Sequence, residues 1–219
     1  MSQAPTGNGA TGAAQAAEPS PWNLPNALTV LRIALVPLFG WLLMRHGGED
    51  AASRWWSWAV FSLAIATDRI DGDLARARGL VTTFGKVADP IADKALVGTG
   101  FVGLSVIGVI PWWVTVVVLV REAGITLMRF WVIRHGVMPA SRGGKIKTFL
   151  QALALAILML PLWTFPLAQL WEVLGWLVLA AAVVVTLATG IDYVVKALSL
   201  RRTSERAEMK RRRKAEGGR

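Results

Sequence analysis

The chain of 219 residues contains no cysteine, which excludes disulfides, thiolate nucleophiles and cysteine-based metal sites. Charge is scarce as well: 17% of the residues are charged, whereas 54% are hydrophobic, and the mean hydropathy is +0.47. Such a composition is too apolar for an ordinary soluble domain. The first twenty residues have neither Lys nor Arg nor an apolar run, so we expect a disordered tail over residues 1–20 and no signal peptide.

The apolar residues are concentrated in six blocks, each close to the length at which a helix crosses the hydrocarbon core of a bilayer. The predicted spans cover residues 27–44, 55–70, 91–110, 112–133, 146–163 and 171–195. We therefore expect an all-α integral membrane protein, a bundle of six transmembrane helices whose membrane domain covers residues 21–198. A basic tail follows over residues 199–219.

The distribution of the net charge of +10 predicts how this bundle is oriented. Segments 69–94, 129–147 and 196–219 contain 5, 5 and 10 Lys or Arg, whereas the opposite loops contain only Arg45 and Arg54. Because cytoplasmic loops carry the excess of positive charge, both termini are expected in the cytoplasm. The tail follows a membrane span, so we expect it near anionic headgroups and expect no nucleic-acid partner.

Five acidic residues lie within 26 positions around the turn between the second and third spans: Asp68, Asp71, Asp73, Asp89 and Asp93. Asp68 and Asp71 share a face if the second span continues as a helix. Asp89 and Asp93, four residues apart, also share a face. The turn lets the two faces meet, and converging carboxylates stay ionised only around cations. Oxygen ligands of this kind favour Mg²⁺ or Mn²⁺, and two such ions suit a phosphoryl displacement.

The alternative is that these acids cap helices or pair with neighbouring Lys and Arg. Asp89, just before Pro90, is placed as an N-cap. Five acids at membrane depth favour a functional site instead, because ionisable groups there are costly. Nearby residues suit a phosphate-bearing ligand: glycines at 72 and 85 allow a close approach, and Arg76 offers a planar charged fork. Thr82 and Thr83 suit either that ligand or a turn.

The spacing of these residues resembles the signature of the CDP-alcohol phosphotransferase family. The signature is met at every position, with eight residues in its spacer, by Asp68, Asp71, Gly72, Ala75, Arg76, Gly85, Asp89 and Asp93. The resemblance implies that the four aspartates bind two divalent ions and that Asp93 is also the general base. It implies that Gly72, Ala75 and Arg76 hold the CDP moiety of CDP-diacylglycerol, and we add Thr82 and Gly85 to that set. It further implies six membrane helices, a cytoplasmic-side active site and a homodimer.

A second set of cations bears on the acceptor: Arg121, Arg129, Lys145 and Lys147. Basic groups beside an acidic metal site predict an anionic acceptor such as a phosphorylated alcohol. Arg121, Arg129 and also Arg32 are expected to face the bundle interior rather than lipid. The alternative is that Arg121 pairs with Glu122 for structure and that the lysines extend to the headgroups.

Segments 23–32, 121–122 and 144–148 resemble those of the phosphatidylglycerophosphate synthases, a branch of the same family. This resemblance implies sn-glycerol 3-phosphate as acceptor, with phosphatidylglycerophosphate and CMP as products. Phosphatidylglycerol, as in a cardiolipin synthase, and inositol phosphate are alternative acceptors. An ion or metal transporter and a non-catalytic scaffold are the alternatives of a different class. The sequence has no paired repeats of the kind many transporters contain.

Overall fold

A computed structural model describes residues 23–80, 82–132, 142–203 and 209 of this chain. Within these ranges the chain forms helices and no strand, which confirms the all-α class. The α-helices are α1 Leu24–Met44, α2 Ala51–Ala77, α3 Thr83–Val106, α4 Trp112–Val132, α5 Arg142–Met159 and α6 Ala168–Thr203. Short 3-10 helices occur at Arg45–Gly48 and Leu162–Thr164. Residues 1–22, 81, 133–141, 204–208 and 210–219, including the predicted N-terminal tail and most of the C-terminal tail, lie outside the described residues.

One end of the bundle gathers aromatic side chains, and we call it the tryptophan end. The ring of Trp55, near the start of α2, stacks on Phe165 with centroids 5.7 Å apart, and Phe165 meets Trp171 edge-on at 6.5 Å. Indole and phenyl rings of this kind favour a membrane–water interface. The starts of α2 and α6 therefore lie at the same end of the molecule.

The tryptophan end also contains a buried arginine, Arg54, for which the sequence predicts a position in an outer loop. Arg54 is 3% exposed, and its guanidinium donates to the carbonyls of Leu158 and Met159, each at 2.7 Å, and of Leu160 at 3.2 Å. The carbonyls of Leu158 and Met159 belong to the last turn of α5, where carbonyl groups have no intrahelical partner. A cation there also complements the negative end of the helix dipole. Arg54 therefore joins α2 to the end of α5.

The opposite end brings together the starts of α1 and α3 and the end of α2, and we call it the aspartate end. Helix α2 ends in a Schellman turn: the N–H of Leu80 donates to the carbonyl of Ala75 at 2.9 Å, and Gly79 has a φ of +64°. Glycine suits that left-handed position because it has no Cβ to clash. Asn23, the N-cap of α1, donates through its amide to the carbonyl of Leu80 at 3.2 Å. The α2–α3 hairpin is thus held against α1.

The start of α3 excludes the capping role that the alternative gives to Asp89. Asp89 is not an N-cap, because α3 begins at Thr83 and is capped by Thr82, whose hydroxyl accepts from the N–H of Gly85 at 3.0 Å. Pro90 therefore lies inside α3 rather than near its start. Asp89 is freed to face the neighbouring helices from the second turn of α3.

A core of apolar side chains fills the middle of the bundle between the two ends. Its largest fully buried members include Phe39, Leu43, Phe61, Leu96, Phe101, Leu104, Leu155, Met159 and Leu179. Helices α1 and α3 approach closely at Gly103, where an added Cβ would lie 2.5 Å from the side chain of Leu43. Small residues allow this approach in the same way at helix contacts within membranes.

The outer surface of the bundle is apolar as well. Large hydrophobic side chains are more than half exposed on every helix, for example Val30, Leu63, Ile91, Val120, Phe149 and Ile191. By length and hydropathy, two helical segments of the described residues qualify as membrane spans: Leu24–Gly48 and Ala168–Ala197. Helices α2 and α3 carry the aspartates, which lowers their mean hydropathy. Apolar side chains facing outward are expected of a protein whose solvent is lipid.

Candidate active site at the aspartate end

The end of α2 presents one functional face to α1 and α3. Asp68, Asp71 and Ala75 recur at helical spacing, and Gly72 lies beside them. Asp71 is 4% exposed and thus nearly sealed from solvent, whereas Asp68 is half-buried. The signature residues therefore lie on a continuous helix, because α2 extends to Ala77 rather than stopping near residue 70.

The start of α3 presents the matching face. Asp89 and Asp93 lie one turn apart, and the hydroxyl of Thr29 on α1 is 2.5 Å from the Asp89 carboxylate. Both Asp68 and Asp89 interact electrostatically with Asp71 and Asp93. The four aspartates are therefore brought together across the α2–α3 hairpin.

Arg32 of α1 lies among these carboxylates. Its side chain is 1% exposed, and its guanidinium nitrogens are 2.8 Å from Asp68, 2.6 Å from Asp71 and 4.0 Å from Asp93. The Nε also donates to the carbonyl of Ala64 at 3.2 Å. The expectation that Arg32 faces the bundle interior is confirmed. The guanidinium of Arg32 lies within 4.0 Å of three of the four carboxylates, and its single positive charge leaves these groups with an excess of negative charge if all four are ionised.

The donor set at this site fits divalent cations of the hard type. The four aspartates offer carboxylate oxygens, which suit Mg²⁺ or Mn²⁺, and the excess negative charge calls for such a cation. Among the described residues, however, no three His, Asp or Glu side chains are already gathered into a chelating group. The guanidinium of Arg32 lies between the carboxylates instead.

A cavity of about 280 Å³ opens beside the aspartates. It is lined by Pro25, Asn26, Thr29, Asp71, Gly72, Ala75, Arg76, Leu80, Thr82, Gly85, Lys86 and Asp89. All five residues predicted to hold the CDP moiety thus line one cavity. Two metal-ligand candidates, Asp71 and Asp89, form part of the same wall. A ligand held there would contact three helices at once.

One wall of the cavity depends on Gly85. The Thr82 hydroxyl donates to Oδ1 of Asn26 at 3.0 Å, and a Cβ added at Gly85 would lie 2.9 Å from that oxygen. A larger residue at position 85 would push Asn26 away from its contact. Thr82 thus caps α3 and fixes Asn26 at the same time.

Arg76 is at the mouth of the cavity and is 70% exposed. It forms an ion pair with Asp73 at 2.7 Å. Asp73 is the acid of this stretch that is not part of the family signature. An exposed ion pair of this kind is weak. The guanidinium can therefore exchange Asp73 for a phosphate with little loss.

The second cationic cluster lies where α3, α4, α5 and α6 approach one another. Glu122 accepts from Nη1 of Arg121 at 3.0 Å and forms a short ion pair with Lys147. Arg121 also donates to the carbonyl of Thr186 at 3.2 Å and to the hydroxyl of Thr189 at 2.8 Å. The interior position expected for Arg121 is confirmed, and its ion pair with Glu122 is the contact that the alternative, a structural role, predicts.

Lys94 connects this cluster to the aspartates. It follows Asp93 in α3, donates to the hydroxyl of Thr126 and interacts electrostatically with Lys147. Arg121 and Lys147 share the carboxylate of Glu122, and Lys94 adds a third positive charge near Lys147, so the contacts of the described residues leave a surplus of positive charge.

Lys145 and Arg129 are the other two predicted acceptor residues. Lys145 lies in α5 and is exposed. Arg129 lies in α4, and its side chain is outside the described residues.

Three polar residues at the cavity were not among the predicted site residues: Asn26, Thr29 and Lys86. All three line the cavity. For Asn26 and Thr29 the available signal was their separation of three residues, which places both polar side chains on one face of α1.

Comparison with known proteins gives a consistent picture. Residues 22–188 match the family model described as CDP-alcohol phosphatidyltransferase. The chain is 51% identical, over 80% of its length and 82% of the relative's, to a "Probable phosphatidylglycerophosphate synthase" of Mycobacterium tuberculosis. It is 35% identical to a "CDP-diacylglycerol--glycerol-3-phosphate 3-phosphatidyltransferase" of Bacillus subtilis, over 84% of this chain and 99% of that one. It is 33% identical to a "Cardiolipin synthase (CMP-forming)" of Streptomyces coelicolor, over 84% and 87%.

Proposed function

Because this chain belongs to the CDP-alcohol phosphatidyltransferase family, we propose that it transfers the phosphatidyl group of CDP-diacylglycerol to sn-glycerol 3-phosphate. The products are phosphatidylglycerophosphate and CMP, and the role is in phospholipid biosynthesis. The observation that carries the proposal is the cavity whose wall combines the predicted nucleotide-binding residues with two of the four clustered aspartates. The names of two of the relatives support glycerol 3-phosphate as the acceptor.

The donor binds with its nucleotide in this cavity. Arg76 supplies a charged fork for the pyrophosphate, and Gly72 lets the phosphate approach the α2 backbone closely. Asn26 and Thr82 offer polar groups on the facing wall. The acyl chains remain in the lipid beside the exposed apolar faces of the helices.

Asp68, Asp71, Asp89 and Asp93 would hold two divalent ions, Mg²⁺ or Mn²⁺. Such ions neutralise the charge that develops on the attacking and leaving oxygens of a phosphoryl displacement. Asp93 is the candidate general base, since its side chain is 53% exposed and can reach an incoming hydroxyl. It takes the hydroxyl proton as the acceptor oxygen bonds to the lipid-linked phosphorus. The bond from that phosphorus to the CMP oxygen breaks, and CMP leaves.

The acceptor phosphate binds at the cationic cluster of Lys94, Arg121 and Lys147, with Lys145 and Arg129 as further candidates. Its charge of about −2 near neutral pH matches the surplus of positive charge around Glu122. Charge-assisted hydrogen bonds from Lys and Arg are the usual means of holding such a group. Lys94 follows Asp93 directly in α3, so this cluster adjoins the candidate base.

We further propose that all six helices cross the membrane, with both termini and the aspartate end on the cytoplasmic side. Outward-facing apolar side chains on every helix and the aromatic cluster at the opposite end support this arrangement. The excess of Lys and Arg in the cytoplasmic segments supports it as well. A homodimeric assembly is supported by the family resemblance.

Purified protein assayed for CMP release from CDP-diacylglycerol tests this function. We expect release with glycerol 3-phosphate in the presence of Mg²⁺ or Mn²⁺ and its loss in chelator. Release of CMP with phosphatidylglycerol or inositol phosphate, but not with glycerol 3-phosphate, would contradict glycerol 3-phosphate as the acceptor. Metal flux in vesicles without CMP release under any condition would contradict the transferase function.

A further inference from the structure

Arg32 is a buried cation that the proposed displacement does not require. It lies inside the membrane domain on α1, is 1% exposed and contacts carboxylates on both α2 and α3. A buried ion that has lost water is costly unless it is paired and hydrogen bonded. Its position between carboxylates of two helices therefore needs an explanation.

The contacts of Arg32 are unequal. Nη2 donates to Asp71 at 2.6 Å, and Nε donates to the carbonyl of Ala64 at 3.2 Å. Nη1 lies 2.8 Å from Asp68, but the pair lacks hydrogen-bond geometry, and Nη1 is buried without a hydrogen-bond partner. The contact to Asp68 is therefore mainly electrostatic, and it is easier to give up than the contact to Asp71.

We propose that Arg32 is the resident counter-ion of the aspartate cluster: it holds the carboxylates together before divalent ions bind, and the ions bind in competition with its ion pairs. This inference rests on the metal sites of the proposed function. Four carboxylates facing one another repel strongly when no cation lies among them. With Arg32 in place, the site can fold before it is loaded. The same positive charge weakens the attraction of the cluster for an incoming cation.

The test uses the full chain in detergent, with two measurements made in chelator and in MnCl₂. One is the thermal midpoint followed by tryptophan fluorescence, and the other is Mn²⁺ affinity followed by the spectroscopic signal of free Mn²⁺. For Arg32→Gln we expect a lower thermal midpoint in chelator, a smaller deficit in Mn²⁺, and Mn²⁺ binding about tenfold tighter because one repelling charge is gone.

Arg54→Met is the matched control, because Arg54 is equally buried but hydrogen bonds to carbonyls at the tryptophan end. We expect it to lower the thermal midpoint by the same amount in chelator and in Mn²⁺, with unchanged Mn²⁺ affinity. If Arg32→Gln behaves in this way too, Arg32 has only a structural role and the proposal is wrong.

A charge-rescue variant covers the case in which Arg32→Gln does not fold. Arg32→Gln combined with Asp71→Asn removes one charge of each sign from the buried pair, so we expect the double variant to regain folding in chelator. Failure of the rescue would overturn the counter-ion role. Absence of any Mn²⁺ response in the wild-type chain, together with absence of CMP release, would contradict the proposed function instead. Because the rescue is measured in chelator, its outcome does not depend on whether the chain binds metal.

Discussion

Among the carboxylates that Arg32 contacts, Asp93 has the greatest exposed fraction, and this separates its role from that of Asp71. Asp71 is sealed from solvent and suits a permanent ligand or ion-pair partner. A general base must contact the hydroxyl of the incoming alcohol, and the exposed side chain of Asp93 is accessible to it. The division of roles within the cluster therefore follows from burial.

Asp93→Asn is expected to abolish measurable turnover while leaving the fold intact. General-base catalysis alone is worth about 10²- to 10⁴-fold, and the substitution also removes the charge of a proposed metal ligand. CMP release and the thermal midpoint are the measurements. Asp192→Asn is the control, because Asp192 is a half-buried acid on α6 that pairs only with Lys196 in the contacts described. Activity near that of wild type in Asp93→Asn would contradict the assignment of the base.

Lys147→Met is expected to raise KM for glycerol 3-phosphate by about 10- to 100-fold, because a charge-assisted hydrogen bond contributes about 1.5–3 kcal/mol. The KM for CDP-diacylglycerol should change little, since Lys147 does not line the nucleotide cavity. Lys196→Met removes an exposed lysine and serves as control. Equal KM values for glycerol 3-phosphate in the two variants would contradict a phosphate-binding role of Lys147.

At the scale of single elements, the ends of the helices are where sequence prediction differs most from the structure. The apolar pattern of the second predicted span stops near residue 70, but α2 continues to Ala77. Hydropathy marks where a helix leaves the hydrocarbon, whereas backbone hydrogen bonding continues until a terminator such as Gly79. The signature residues 71–76 are therefore helical, with their side chains directed by α2.

The start of α2 yields a prediction on pH. Asp50, its N-cap, accepts from the hydroxyl of Ser53 at 2.5 Å and from its N–H at 3.0 Å, and these hydrogen bonds lower the pKa of Asp50 below its usual value. A lowered pKa means that the carboxylate stabilises the fold above its unfolded pKa and that this contribution is lost as pH falls through the folded pKa. We expect Asp50→Ala to lower the thermal midpoint at neutral pH.

The deficit of Asp50→Ala relative to wild type should shrink as the pH falls below about 4, the ordinary pKa of an aspartate. The measurement is the thermal midpoint of both chains across an acidic series. Ser53→Ala should show part of the same pH dependence. It removes the hydrogen bond from the Ser53 hydroxyl, which lowers the pKa of Asp50 more than the bond from the Ser53 N–H does. A deficit independent of pH would contradict the role of the ionised cap.

At the scale of the whole molecule, the orientation of the bundle is open to direct measurement because the chain has no cysteine. Glu49→Cys and Ser199→Cys each place a single thiol at an exposed position, the first at the tryptophan end and the second near the end of α6. In intact cells, a membrane-impermeant maleimide should label Glu49→Cys and should label Ser199→Cys only after permeabilisation. The reverse pattern would contradict the proposed orientation.

The sequence by itself determined the helical class and the family, because the spacing of the aspartates along two helices is a local property of the chain. It also indicated which residues share a face. It did not reveal that α1 supplies Asn26, Thr29 and Arg32 to the same site, nor that Arg54 caps the end of α5 from another helix. These contacts join residues far apart in the chain, and only the packing of the helices against one another decides which polar groups are left to pair inside the bundle.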